Sequence, residues 1–371
     1  MNLFDNKTRT KTEPAEFNEN MYDYYDNNAQ PQRVIIRDQL NEWFSSYPEK
    51  EQDELKSRFK KDFYESFYEL FIYQLFRNLN FEIEIHPRLS HTEKRPDFLM
   101  KKGEVEFYVE AKVHYGLSTE ERALQNMYNQ IYDELNRIKL PGFTLAINKF
   151  KIKSKTSPSI RPAIKYILDN ISGYEHSSLS KLQNGHIINY ENDKLSIAVQ
   201  LIKADNTRTV GLIFEEPVWG GGEEELRKAI NGKAKKYGQL PKPYIICINT
   251  LDSKTTSRLD VDNAIWGTLD SSLLTRGIEN IDESLRKSMS GLFFDDRGIR
   301  LKNISGVLVS QISPSNIPSG NYWLYKHPFS KNELDFNQIG LKYCYIEERR
   351  IFRNDGTDLD KIFNISKDWL K

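Results

Sequence analysis

The segment PDFLMKKGEVEFYVEAKV, residues 96–113, constrains this chain more than any other stretch. The run PDFLM meets Lys102-Gly103, a tight-turn pair, and VEFYVEAKV follows at once with apolar and polar residues in alternation. Two β-prone runs joined so closely pair as an antiparallel hairpin. A period of two then sets Val105, Phe107, Val109 and Ala111 on one face, with Glu106, Tyr108, Glu110 and Lys112 on the other. A turn at Lys102-Gly103 places Asp97 opposite Tyr108 and makes Glu110 its diagonal neighbour, with Cα atoms about 7–8 Å apart. Two carboxylates and one ammonium group thus converge at a hairpin edge.

The flanking sequence supplies the rest of an α/β unit. From about residue 53 to residue 79, Phe63, Phe67, Leu70, Phe71, Leu75 and Leu79 recur at spacings of three and four, which predicts one long helix with an apolar face. FEIEIHP reads as a first strand, with Phe81, Ile83 and Ile85 alternating against Glu82 and Glu84. After the hairpin, a helix is expected over 119–138, then Pro141-Gly142 and a strand, FTLAINKF. The order over residues 46–150 is helix, three strands, helix, strand, a mixed α/β core.

Phosphodiester cleavage requires neutralising phosphate charge and making hydroxide near neutral pH. A hard divalent cation does both, and it takes one or two carboxylates plus waters. A lysine beside it can orient the attacking water and stabilise developing negative charge. The bland alternative for the same three residues is an ordinary cross-strand ion pair on a surface hairpin.

Arg95-Pro96-Asp97-Phe98 followed by Glu110-Ala111-Lys112 resembles the PD-(D/E)xK motif of the restriction-endonuclease-like superfamily, over under a third of the chain. That resemblance implies a core of helix, three strands, helix and strand. It implies that Asp97 and Glu110 bind the metal with the Ala111 carbonyl, and that Lys112 positions the water. Glu69, on the preceding helix, would hold a second ion or an ordered water, with Glu65 one turn earlier as the substitute. The implied cofactor is Mg²⁺ or Mn²⁺. The implied activity is nucleic-acid hydrolysis, DNA ahead of RNA, in bacterial restriction or antiviral defence. A homodimer and a separate defence-system partner protein are compatible with that setting. Two other readings stay open: a nucleic-acid-binding module that keeps the core without catalysis, and a ribonuclease toxin.

Residues 1–45 are rich in polar residues and are expected to form a loosely packed arm. Residues 151–371 are expected to form a second, α+β domain for substrate recognition, dimerisation or regulation. Within it, KLSIAVQLIKA and TVGLIFEEP read as strands paired through a turn at Asp205-Asn206, EEELRKAINGKAKKYG as an amphipathic helix with its lysines in water, and PYIICIN as a buried strand. Lys149, Lys151, Lys153, Lys155, Arg161 and Lys165 make a basic run that suits either a phosphate backbone or a solvated linker. Trp219-Gly220-Gly221-Gly222 lacks GK[ST] and precedes three glutamates, so a nucleotide loop is rejected. His114 and His91 are expected in solvent.

Charge and cysteine content exclude other classes. Lys and Arg number 53 and Asp and Glu also number 53 among 371 residues, which argues against coating nucleic acid through overall charge. Cys247 and Cys344 lie far apart in apolar runs, so buried free thiols are expected and a four-sulfur zinc site is excluded. The first twenty residues lack the apolar stretch of a signal peptide, and no apolar run is long enough to span a membrane. A cytoplasmic protein without a membrane partner is the expectation.

Overall fold

The computed structural model of the chain describes residues 1–138, 140, 143–172, 187–203, 208–213, 222–252, 257–267, 291–295, 298–347 and 350–371. These form a mixed α/β protein in two compact units. The larger unit comprises Met1–Lys11, Tyr25–Gly116 and Trp219–Lys371, and the smaller Thr12–Tyr24 and Leu117–Val218. The expected division at residue 150 is therefore replaced by an insertion: the larger unit leaves off after the hairpin and resumes a hundred residues later.

The larger unit is built on an eight-stranded mixed sheet in the order β1-β2-β3-β8-β11-β12-β13-β14. β1 (Glu82–Ile85), β2 (Phe98–Lys102) and β3 (Val105–His114) are antiparallel neighbours, and β3 runs parallel to β8 (Tyr244–Thr250). Beyond it lie β11 (Gly306–Gln311), β12 (Asn321–Lys326), β13 (Tyr343–Glu347) and β14 (Arg350–Asn354). β8 is buried at all seven positions, as a central strand covered on both faces must be. The described residues include no helix long and apolar enough to cross a membrane.

The expected single helix over 53–79 is two helices, α3 (Glu49–Lys61) and α4 (Phe63–Asn78). Asp62 interrupts them at φ −130°, ψ 71°, outside helical geometry. The break lets the two segments bury different surfaces. α3 buries only Gln52, Leu55 and Phe59, whereas α4 is buried at nearly every position from Phe63 to Phe76. On the α4 side of the sheet Phe107 packs edge-on against Phe76 and Phe81, with all three ring centroids 5.5 Å apart.

Residues 1–45 are not a loose arm. Leu3 and Phe4 are buried, and the Phe4 N–H donates to Asn41 Oδ1 at 2.9 Å. α1 (Met21–Asn27) and α2 (Pro31–Ser45) occupy the remainder, and α2 buries Ile36, Leu40, Trp43 and Phe44. Composition misled because the few apolar residues present sit at helical spacing on one face.

The smaller unit has its own four-stranded sheet, β5-β6-β4-β7. β4 (Phe143–Ile152) and β6 (Leu195–Lys203) are its antiparallel centre, β5 (Ile187–Glu191) pairs with β6, and β7 (Val210–Ile213) runs parallel to β4. Ile131, Tyr132 and Leu135 of α5 (Thr119–Asn136) and Ile160, Ala163 and Ile167 in and beside α6 (Arg161–Ser172) share its core. The strands expected to pair with each other, β6 and β7, are instead separated by β4. The Asp205-Asn206 turn, Pro141-Gly142 and Trp219 to Gly221 lie outside the described residues.

This sheet also claims the strand FTLAINKF, which was expected to complete the hairpin core. The strand that lies against β3 is β8, and the helix before it is α7 (Gly222–Ala234). Leu226, Ile230 and Ala234 of α7 pack with Tyr108 of β3 and Tyr244, Ile246 and Ile248 of β8.

Candidate active site

The hairpin turns one residue later than the spacing indicated. Lys102 pairs with Val105, so Gly103 and Glu104 form the turn, and Gly103 takes the first position at φ +57°, where an L side chain is disfavoured. Moving the turn by one residue slides the register by two and leaves the faces unchanged. Phe98 pairs with Val109, so Asp97 stands directly across from Glu110 and not diagonal to it. Directly opposed residues have Cα atoms about 4.5–5.5 Å apart, closer than the sequence implied.

Asp97 is fixed at this position by backbone geometry. Its carbonyl accepts from the His86 N–H at 2.9 Å, continuing the β1–β2 ladder by one step. The Tyr108 N–H points toward β8, bonding Pro243 O at 2.8 Å, so the Ala111 N–H three residues on points toward β2. β2 has no backbone acceptor there, and Asp97 Oδ2 takes the role at 2.7 Å. Burial and the nearby charges of Glu110 and Glu69 push the Asp97 carboxyl up to about 7, against the opposing pull of the Ala111 N–H and Lys233.

Glu110 is fully buried, and both of its oxygens are engaged. Lys233 and Lys236 reach Oε1, the latter at 2.7 Å, and the Tyr237 hydroxyl reaches Oε2. Lys233 lies in the last turn of α7, and Lys236 and Tyr237 follow that helix. The Tyr237 hydroxyl is also 2.8 Å from Arg95 O, and His91 Nε2 is 2.9 Å from Tyr237 O, so the loop before Asp97 and the end of α7 are tied together. The lysines that amphipathicity placed in water therefore neutralise a buried carboxylate. Their partner lies more than 120 residues away in sequence, and no local pattern could reveal it.

Glu69, on α4, is buried and held by others. Arg58 grips it with both guanidinium nitrogens, one at 2.8 Å, and the Tyr47 hydroxyl donates at 3.0 Å. Its charge nonetheless reaches Asp97. Glu65 accepts from the Tyr115 hydroxyl at 2.8 Å. Lys112 follows Glu110 on the same face of β3, in register with Ile248 of β8, and is partly exposed. His114, next on that face, is buried and not solvated as expected. Burial and the Lys112 charge hold its imidazole below its usual basicity, and no hydrogen-bond partner meets Nε2 among the described residues.

The site thus brings Asp97, Glu110 and Lys112 onto one stretch of β3 and its neighbour, with Glu69 near enough to act electrostatically. It does not present them as a set of open oxygen donors. Both oxygens of Glu110 bind cationic or hydroxyl donors, both of Glu69 bind Arg58 or Tyr47, and one of Asp97 binds backbone. Among the described residues no group of three or more His, Cys, Asp or Glu side chains is arranged to hold a metal ion. As held here, the residues do not fit a divalent cation.

A groove of about 520 Å³ opens beside the end of β1, next to His86. Lys50, Arg88 and Arg95 line it, but Glu51, Glu54 and Glu84 offset them, so charge gives it no preference for phosphate. Cys247 and Cys344 are buried free thiols. Compared with protein-family models, curated proteins and solved structures, the chain matches none of them.

Proposed function

We propose that this chain is a divalent-cation-dependent nuclease of the PD-(D/E)xK kind, acting in the cytoplasm on DNA ahead of RNA, in restriction or antiviral defence. The observation that carries the reading is the direct opposition of Asp97 and Glu110 across β2 and β3, with Lys112 two residues on along the same face. The order α4-β1-β2-β3-α7-β8, with β3 parallel to β8, supports a restriction-endonuclease-like core interrupted by the smaller unit. Setting, substrate preference and cofactor, Mg²⁺ or Mn²⁺, rest on the motif resemblance. A homodimer and a separate defence partner belong to the same proposal.

In this reading Lys112 supplies positive charge beside the scissile phosphate, where a buried site strengthens its effect. Asp97, with a carboxyl that titrates near neutrality, is suited to hold or release a proton there. Cation binding requires Glu110 to exchange Lys233 and Lys236 for the ion.

Those two lysines also favour a second reading, a nucleic-acid-binding module on the same core without catalysis, because a carboxylate already neutralised by ammonium groups has no need of a metal. Incubation of purified protein with labelled duplex DNA, single-stranded DNA and RNA, with and without Mn²⁺, separates these. The proposal predicts fragments of DNA only with Mn²⁺. Retarded but intact substrate, indifferent to metal, sinks it in favour of the binding module, and fragments from RNA alone turn it toward a ribonuclease.

A further inference from the structure

The conflict between the motif and the arrangement of its side chains centres on Glu110. Its side chain is 1% exposed, and a carboxylate so buried cannot stand ionised without a positive partner. Lys233 and Lys236 fill that need from the end of α7, and both keep contact with water, at 23% and 32% exposure. Their charges together equal that of one divalent cation, and they meet the oxygen that such an ion would need. Their stems are long and unbranched, so the ammonium groups can leave for solvent while α7 keeps its packing through Leu226, Ile230 and Ala234.

From this we infer that Lys233 and Lys236 are exchangeable counter-cations: they neutralise Glu110 in the metal-free chain and are displaced when a divalent cation binds between Asp97 and Glu110. The inference rests on the nuclease reading in taking those carboxylates as cation ligands. Exchange keeps the buried charge paired in both states, so neither state carries a bare carboxylate. It also sets a threshold for metal, because binding must repay two broken ion pairs. The freed ammonium groups stand beside the carboxylates, where backbone phosphates of a nucleic acid would meet them. Tyr237 is neutral and its hydroxyl can stay on Oε2 throughout.

The probe is Mn²⁺ alone, followed by calorimetry on the full chain, with lysine reactivity toward an acetylating reagent read by mass spectrometry. Lys233→Met and Lys236→Met should each tighten Mn²⁺ binding about tenfold or more. In the unaltered protein, saturating Mn²⁺ should raise the acetylation of Lys233 and Lys236 several-fold while Lys228, paired with Glu224 and Glu225 on the exposed side of α7, stays unchanged. The acetylation arm needs no substitution and so survives a variant that fails to fold. Mn²⁺ binding only in the lysine variants supports the exchange in its strongest form. Mn²⁺ binding that Asp97→Ala removes, with affinity and acetylation indifferent to the lysines, overturns the exchange and leaves the carboxylate assignment standing. No binding to any form overturns both.

Discussion

Asp97 Oδ2 accepts a 2.7 Å hydrogen bond from the Ala111 N–H, which fastens a carboxylate to β3 one step beyond the last backbone pair of β2. The arrangement keeps Asp97 opposite Glu110 at a cost, since two buried acids face each other and Glu69 adds a third charge.

That cost makes stability depend on pH. The Asp97 carboxyl rises from an ordinary value near 3.8 to about 7, through burial first and the charges of Glu110 and Glu69 second. A carboxyl raised by folding binds its proton more tightly in the folded chain, so its contribution is full below about pH 4 and drains as pH climbs toward 7. Asp97→Asn mimics the protonated form and keeps an acceptor for Ala111. Urea unfolding should find it more stable than the wild type by about 1–3 kcal/mol at pH 8, with the gap closing toward pH 4. A gap that is constant across this range contradicts the assignment.

Glu110 and its two lysines should respond unequally to substitution. Glu110→Gln leaves Lys233 and Lys236 free to reach water, so the loss should stay near 1 kcal/mol. Lys233→Met with Lys236→Met strands a buried carboxylate, which costs about 3–5 kcal/mol when a partner is removed. Denaturation of the two variants side by side tests this ordering, and a reversed order would show that Glu110 is not the group the pairing serves.

Much of this site was legible in the sequence because it is local. The alternation of residues 105–113 and the glycine near the turn put Glu110 and Lys112 on one face, and period two survives the register slip. The slip itself was not legible, because Lys102-Gly103 and Gly103-Glu104 are equally plausible turn pairs and only the sheet decides between them. Nor was the identity of the strand beside β3. FTLAINKF and PYIICIN are both apolar strands preceded by helices, and nearness along the chain favoured the wrong one. The lysines on Glu110 and the arginine on Glu69 were hidden for a simpler reason. A charged residue on an amphipathic helix looks the same whether its partner is water or a buried acid.

Arg58 offers a test of how Glu69 is held. Its guanidinium gives two hydrogen bonds to a carboxylate that is only 6% exposed, with Tyr47 as the sole other donor. Arg58 is itself a third exposed, so solvent shares part of the burden. Arg58→Met should lower unfolding free energy by about 2–3 kcal/mol, measured in urea at pH 7. A loss below about 0.5 kcal/mol would mark the pair as an ordinary surface bridge.

The account depends most on whether the face shared by Glu110 and Lys112, with Asp97 across from it, performs hydrolysis. Nicking of supercoiled plasmid in Mg²⁺ or Mn²⁺ by wild type, Asp97→Ala and Lys112→Ala, each checked for native circular dichroism, addresses it directly. The account predicts metal-dependent nicking by the wild type and a loss of at least a hundredfold in each folded variant. Cutting that persists undiminished in both would contradict it.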